Sequence, residues 1–226
     1  FITIHNMATW MLGTWATPAV RDHWGPLLTT GQKLASYCLT EPGAGSDAAS
    51  SARVLSEGGI SAFVVPADAP GITYGKKEHK MGWNSQPTRT ISFDNVRIPA
   101  NHLLGREGEG FKIAMKGLDG GRINIATCSV GAAQGALNAA QQYMHDRKQF
   151  GKSIASFQAL QFKLADMATE LVAARQMVRL AASKLDAGAR DASTYCAMAK
   201  RFATDAGFNV CNEALQLHGG YGYIRE

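Results

Sequence analysis

The most constraining feature of this chain is a spacing. In its second half, apolar residues recur three and four positions apart in three successive runs. Ile123, Ala126, Val130, Ala133, Leu137 and Ala140 mark the first, within a segment from about Phe111 to His145 that Gly108 and Gly110 precede. Leu160, Leu164, Met167, Leu171, Ala174 and Val178 mark the second, from about Ser156 to Ala187. Tyr195, Met198, Phe202, Ala206, Val210 and Ala214 mark the third. This is the period of an α-helix with one buried face. Gly188 is a stop for the second helix, Asp191 an N-cap for the third, and Gly219-Gly220 ends the third. Small residues in the stripes let helix axes approach closely, so the spacing predicts a tightly packed up-down bundle. The stripes are core, and their methionines are no site.

The first half reads differently. Asn6 to Trp15 fits one helix with Met7, Trp10 and Met11 on one face, and Pro18, Gly25-Pro26 and Gly31 punctuate the next stretch. Tyr37-Cys38-Leu39-Thr40, Ile60 to Val65 and Thr88 to Ile98 read as strands, the last with a bend at Asp94-Asn95. The expected architecture is multidomain α+β, mainly α. It comprises a partial N-terminal helical region (1–35), a truncated central β domain (36–100) and a C-terminal up-down helical bundle (101–226).

Composition narrows the classes. Hydrophobic residues make up 46% and charged residues 18% of the 226, an ordinary globular balance. No apolar run approaches the roughly 20 residues of a membrane helix, which excludes membrane insertion by that route. Residues 1–110 carry nine basic and nine acidic side chains; residues 111–226 carry fourteen and nine, so the whole +5 lies in the second half. That excess is either a solvated helical surface or an attraction for an anionic partner such as a nucleotide cofactor or a coenzyme A phosphate. No Lys/Arg block resembles a nucleic-acid tract. Cys38, Cys128, Cys196 and Cys211 match no zinc or disulfide framework and read as reduced core thiols; the six histidines show no ligand spacing, so no metal is expected. The chain opens at Phe1 with no signal-peptide pattern, so a fragment of a longer protein is expected.

Four places carry possible chemistry, each with a plain structural alternative. Glu41-Pro42-Gly43-Ala44-Gly45-Ser46-Asp47 comes directly after a strand and is either a turn or a loop whose N–H groups cradle a phosphate. In Asp146-Arg147-Lys148-Gln149-Phe150-Gly151, Arg147 and Phe150 would share a face if helical. They suit a diphosphate and a planar ring, or a helix-end charge cluster. Gln216-Leu217-His218-Gly219-Gly220-Tyr221-Gly222-Tyr223 lets a ligand approach the backbone, or ends a helix. In Leu118-Asp119-Gly120-Gly121-Arg122, the two glycines inside a helix cost roughly 1 kcal/mol each relative to alanine. Close packing or a ligand would account for them.

In this order the motifs resemble the acyl-CoA dehydrogenase family of flavoenzymes, over nearly the whole chain. Residues 75–89 (GKKEHKMGWNSQPTR) and 164–169 (LADMAT) look most like its isobutyryl-CoA-oxidising, valine-degrading branch. The resemblance implies an N-terminal helical domain, a β domain and a four-helix bundle, usually in a homotetramer. It implies FAD, an acyl-CoA substrate and electron-transfer flavoprotein as the electron acceptor. Localisation would be bacterial cytoplasm or mitochondrial matrix.

Carried over by position, Tyr37, Cys38, Leu39, Thr40, Glu41, Pro42, Gly43, Ala44, Gly45 and Ser46 match the flavin-binding strand and loop. Ser46 also matches a substrate position, as do Asp119, Gly120, Gly121 and Arg122. Arg147 matches a FAD-diphosphate ligand reached across a subunit interface, with Phe150 beside it. Phe157 and Gln158 match a further FAD contact, and Gln216, Leu217, His218, Gly219 and Gly220 match the stretch over its ADP half.

Two departures stand out. The family's usual catalytic glutamate is expected beyond Glu226, and the alternative position used by some relatives is Gly121 here, so no base is assigned. Between Ala49 and Gly59 only Ser50 to Gly58 occupies an interval where the family has a longer β stretch. Two further readings therefore accompany the enzyme. One is a truncated, non-catalytic homologue that binds FAD or acyl-CoA, or only assembles with full-length subunits. The other is a DNA-binding relative.

Overall fold

The structure, a computed structural model, describes residues 2–42, 44–48 and 59–225, and of Ile2 the backbone alone. Gly43, the interval 50–58 and Glu226, each part of the expectations from sequence, lie outside the described residues. The chain divides into two compact units, Phe1–Leu118 and Asp119–Glu226. The observed fold is mainly α with small β pairs.

In the first unit, α1 (Ile2–Trp15) buries Met7 and Met11 as its periodicity predicts. Trp10, expected on the same face, is 47% exposed and stands edge-on to Trp15 at 5.1 Å. The inner face runs Ile4, Met7, Met11 and Trp15, and packs with Leu104 and Ile113; position 10 falls on its rim. α2 (Pro18–Thr29) starts with proline at its first turn. It runs through Gly25-Pro26, where the sequence suggests a break. Pro26 lies near the end of the helix, so one ladder bond is lost while Val20 and Leu28 stay buried on either side. His5 ties α1 to α2 and to the segment beyond it. Its Nδ1 accepts from the Ala35 N–H at 3.0 Å, which leaves Nε2–H to donate to the Leu28 carbonyl at 3.1 Å.

The β region is more fragmentary than expected. β1 (Ala62–Phe63) pairs antiparallel with β4 (Leu103–Leu104), and β2 (Ile72–Tyr74) pairs antiparallel with β3 (Ile91–Phe93). Residues 37–40, read as a strand, form none; among the described residues no neighbour offers them a ladder. β3 is shorter than the run Thr88 to Ile98 suggests, because the chain turns at Asn95, whose φ is 49°. β2 is hidden in the sequence because Pro70-Gly71 directly before it looks like pure turn.

The helices of the second unit match their sequence periods closely. α3 spans Gly110–Asp146, α4 Gln158–Asp186 and α5 Ala192–Leu217. The division between the units falls inside α3. Ser193 at the start of α5 bonds Asp119, and His218 just past α5 stacks on Tyr143 near the end of α3, so α3 and α5 run parallel. Lys163 near the start of α4 pairs with Glu213 near the end of α5, so α4 runs against both. The result is up-down-up. Gly188 ends α4 with φ 62°; its N–H donates to Leu185 O and that of Ala189 to Lys184 O, the paired bonds of a Schellman stop.

Two details of the third helix differ from expectation. Asp191 precedes α5 but makes no side-chain cap; its carboxylate accepts from Lys184 Nζ at 2.7 Å instead. The buried stripe is Cys196, Ala199, Ala203, Ala206, Val210, Ala214 and Leu217, so Met198 and Phe202 face outward. Small residues won the inner face because α3 and α5 nearly touch. Ser129 Oγ donates to the Ala203 carbonyl at 3.0 Å, and a Cβ on Gly207 would collide with that same Oγ. All four cysteines are free, but Cys38 is exposed rather than core. Among the described residues no helix is long and apolar enough to cross a membrane.

Candidate functional site

The sequence-marked residues fall into three local constellations. In the first unit, Glu41 and Ala44 close a tight turn with reciprocal backbone bonds, each 3.0 Å. Pro42 sits inside it, and the described part of the loop (Gly45, Ser46) is exposed, while Ala44 is buried. Among the described residues nothing lies within 4 Å of where a Cβ on Gly45 would be. Cys38 and Thr40 are exposed; Leu39 is half-buried. Tyr37 packs on the Met7/Met11 cluster. Its hydroxyl has no hydrogen-bond partner among the described residues, and burial pushes the phenol up to about 12.

The second constellation is at the start of the second unit. The Asp119 side chain is nearly inaccessible, and the residue is 2% exposed. Its carboxylate accepts from Arg122 Nη1 at 2.6 Å and from Ser193 Oγ at 2.7 Å. Asp119 therefore cannot meet a ligand directly; it fixes Arg122, whose side chain is 35% exposed. Sequence reasoning does not reach Ser193, since nothing in its neighbourhood marks it. Burial and the Asp119 charge push the nearby Cys196 thiol up, so it stays a neutral core group. A Cβ on Gly120 would meet nothing within 4 Å, so close packing does not explain that glycine.

The third lies past the far ends of α3 and α5. Here the helical reading of Arg147 and Phe150 fails: α3 stops at Asp146. The chain then forms a hairpin, β5 (Lys148–Gln149) against β6 (Lys152–Ser153). Phe150 and Gly151 have φ of 55° and 76°, the signature of a two-residue I′ turn. Positive φ is uncomfortable for phenylalanine, yet Phe150 is 90% exposed at that tip. Ser153 anchors the hairpin by donating to Met144 O at 2.7 Å.

Around it the aromatic and cationic groups gather. Phe150 stands edge-on to Phe157 at 6.0 Å, and Lys152 Nζ lies 4.5 Å from the Phe157 ring centre. Arg147 Cζ lies 5.4 Å from the Tyr221 ring centre. Tyr143 stacks on His218 at 4.6 Å and approaches Tyr221 at 6.3 Å. No carboxylate among the described residues lies within ion-pair distance of Arg147.

Gln158 and Gln216 are exposed, and Leu217 is core, its side chain closed to a ligand. Positions Gly219 and Gly220 face open space, whereas a Cβ on Gly222 would collide with the Leu215 carbonyl. Tyr143, Tyr221 and Lys152 join the site without having been marked as site residues by sequence. The signal for Tyr221 is its place in the glycine run.

The structure thus gathers Arg147, Phe150, Phe157 and His218, but not Arg122. Asp119 and Asp146 stand on one helix about 40 Å apart at 1.5 Å per residue. Among the described residues no group of His, Cys, Asp or Glu is arranged to hold a metal.

Comparison with known proteins agrees in sequence and in shape. Residues 108–226 match the family described as acyl-CoA dehydrogenase, C-terminal domain. Mitochondrial isobutyryl-CoA dehydrogenase of Bos taurus is 46% identical, over all of this chain and 62% of its own length. That alignment runs over 260 residues against the 226 of this chain, so the relative carries residues with no counterpart here. The chain superimposes on butyryl-CoA dehydrogenase of Megasphaera elsdenii with a TM-score of 0.93 at 36% identity, covering 98% of this chain and 67% of that one. A chain from a structure of the Acidaminococcus fermentans electron transferring flavoprotein gives 0.93 at 36%, with 98% and 68% covered. The chain spans just over three fifths of the length of the curated relatives it matches. With the family match spanning more than half its residues, this chain belongs to the acyl-CoA dehydrogenase family.

Proposed function

We propose that the protein takes part in FAD-dependent α,β-dehydrogenation of a short branched acyl-CoA, isobutyryl-CoA being the first choice, with electrons passed to an electron-transfer flavoprotein. The observation that carries this reading is Arg147: an exposed cation against the face of Tyr221, with no carboxylate partner among the described residues, near the open backbone of Gly219 and Gly220. That donor set suits a diphosphate with a planar ring attached. The residues around Arg147 fit FAD on this ground, and the 37–46 segment enters the proposal by resemblance alone. The tie to isobutyryl-CoA rests on the bovine relative's name, and the tie to electron-transfer flavoprotein on the Acidaminococcus structure.

FAD, when bound, supplies the two-electron acceptor. The chain's own residues bind and orient. Arg147 balances diphosphate charge, while Arg122, held by an Asp119 carboxylate that Ser193 in turn fixes, offers a cation to the acyl-CoA. The proposal includes a homo-oligomer, a tetramer by resemblance, in which Arg147 reaches a neighbouring copy's cofactor. The division into 1–35, 36–100 and 101–226 remains part of this proposal, as do the bacterial cytoplasm or mitochondrial matrix. A second reading, binding without turnover, is favoured by Gly121, which cannot take a proton.

The test is to reconstitute the chain with FAD and titrate isobutyryl-CoA anaerobically. Bleaching of the visible flavin band supports the dehydrogenase. A flavin-loaded protein that does not bleach supports binding without turnover, and failure to retain FAD overturns both.

A further inference from the structure

We infer that Tyr221 is a positioning residue for Arg147, restraining its guanidinium as the counter-charge for a ligand diphosphate; this rests on the proposed cofactor reading. An arginine used to catch an anion faces two conflicting requirements. It must be held, because an unrestrained side chain loses rotamer freedom on capture. It must also keep its charge available, which a carboxylate partner would neutralise. An aromatic face meets both. The ring quadrupole attracts the cation but carries no net charge.

The geometry fits that role. Arg147 is the first residue beyond α3; its N–H donates to the Tyr143 carbonyl at 2.8 Å and its carbonyl accepts from Ile154 at 2.9 Å, while its guanidinium carbon lies 5.4 Å from the Tyr221 ring centre. Tyr221 is itself held. Its N–H donates to the His218 carbonyl at 3.2 Å, and its ring stands 6.3 Å from that of Tyr143. Tyr143 stacks on His218 at 4.6 Å, and the His218 ring is pinned where Nδ1 meets the Ala214 carbonyl at 2.8 Å. A carbonyl only accepts, so Nδ1 carries the hydrogen. The restraint therefore runs from the backbone of α5, through three rings, to one cation. Aromatic packing alone would not need the last member of that series to be an arginine with no carboxylate partner among the described residues.

The experiment compares the whole chain with its Tyr221→Phe, Tyr221→Leu and Arg147→Gln variants by calorimetric titration, using ADP and adenosine as probes. The wild type is expected to bind ADP more tightly than adenosine. Tyr221→Phe keeps the ring and should match the wild type. Tyr221→Leu should weaken ADP by about two- to five-fold, leave adenosine unchanged, and add nothing once Arg147 is glutamine. If Arg147→Gln weakens ADP but Tyr221→Leu does not, the positioning role is wrong while the cofactor reading stands. If the wild type does not prefer ADP, or Arg147→Gln has no effect, both fall. Should the leucine variant fail to fold, proton NMR decides. The Arg147 Nε–H resonance should show a ring-current shift in the wild type and in Tyr221→Phe, and an ordinary shift in the wild type overturns the role.

Discussion

At the scale of single residues, the substrate-matched segment separates into a fixed part and an available part. Asp119 looks like a ligand group in sequence, but its carboxylate is buried between Arg122 and Ser193. Replacing it with alanine leaves the Ser193 hydroxyl and part of the Arg122 guanidinium without their acceptor. The expected loss is about 1–3 kcal/mol of stability, measured by urea denaturation. Asparagine, whose amide oxygen still accepts from Ser193, should lose less. Equal losses for the two would mean that the carboxylate is not the tie between α3 and α5. Nothing in the local sequence distinguishes an inward aspartate from an outward one. That choice depends on Ser193, 74 positions away.

At the scale of elements, the α4–α5 turn carries its own electrostatic clamp. The hydrogen bond from Lys184 holds the Asp191 carboxyl below its ordinary 3.8, and the same bond raises Lys184 above its ordinary 10.5. A depressed carboxylate pKa contributes stability above the unfolded value and loses it as pH falls through the folded one. A raised lysine pKa contributes below the unfolded value and loses it as pH rises through the folded one. The clamp is therefore complete between about pH 4 and pH 10 and fades on both sides. Asp191→Asn should lower the melting temperature near neutrality, with the difference from wild type shrinking as the pH falls from about 4 through the folded carboxyl pKa. A difference constant with pH would exclude the ionic origin. Both groups are solvent-accessible, so the effect is small and screened by salt.

The elements also differ in how legible they are. The ends of α3, α4 and α5 fall within two residues of the sequence reading, because long amphipathic runs with glycine stops specify themselves. The β pairs do not, since a two- or three-residue strand exists only where a distant partner supplies its hydrogen bonds. The hairpin at 148–153 is hidden by a charged stretch that also reads as a helix end.

At the scale of the whole molecule, the surface carries more apolar side chains than a lone helical bundle needs. Phe162 and Leu180 on α4, and Met198, Phe208 and Leu215 on α5, are all exposed, Phe208 to 72%. Such exposure marks association surfaces. Sedimentation at micromolar concentration should give a mass several times the 24.2 kDa of one chain. Phe208→Glu should shift the protein toward smaller species. A monomeric wild type would remove the homo-oligomer from the proposed function, and with it the role of Arg147 across a subunit interface.

Sequence by itself determined the helical bundle, its small-residue packing and the order of the motifs, because periodicity and glycine stops act locally. Tertiary structure decided which side chains are free to act. It buried Asp119 and Leu217, turned Met198 and Phe202 outward, followed α3 with a hairpin, and set Arg147 against Tyr221 from the turn after α5. Those outcomes depend on which neighbour reaches a group first: a hydroxyl for Asp119, an aromatic face for Arg147. Residues that distant in the chain meet only when the helices pack.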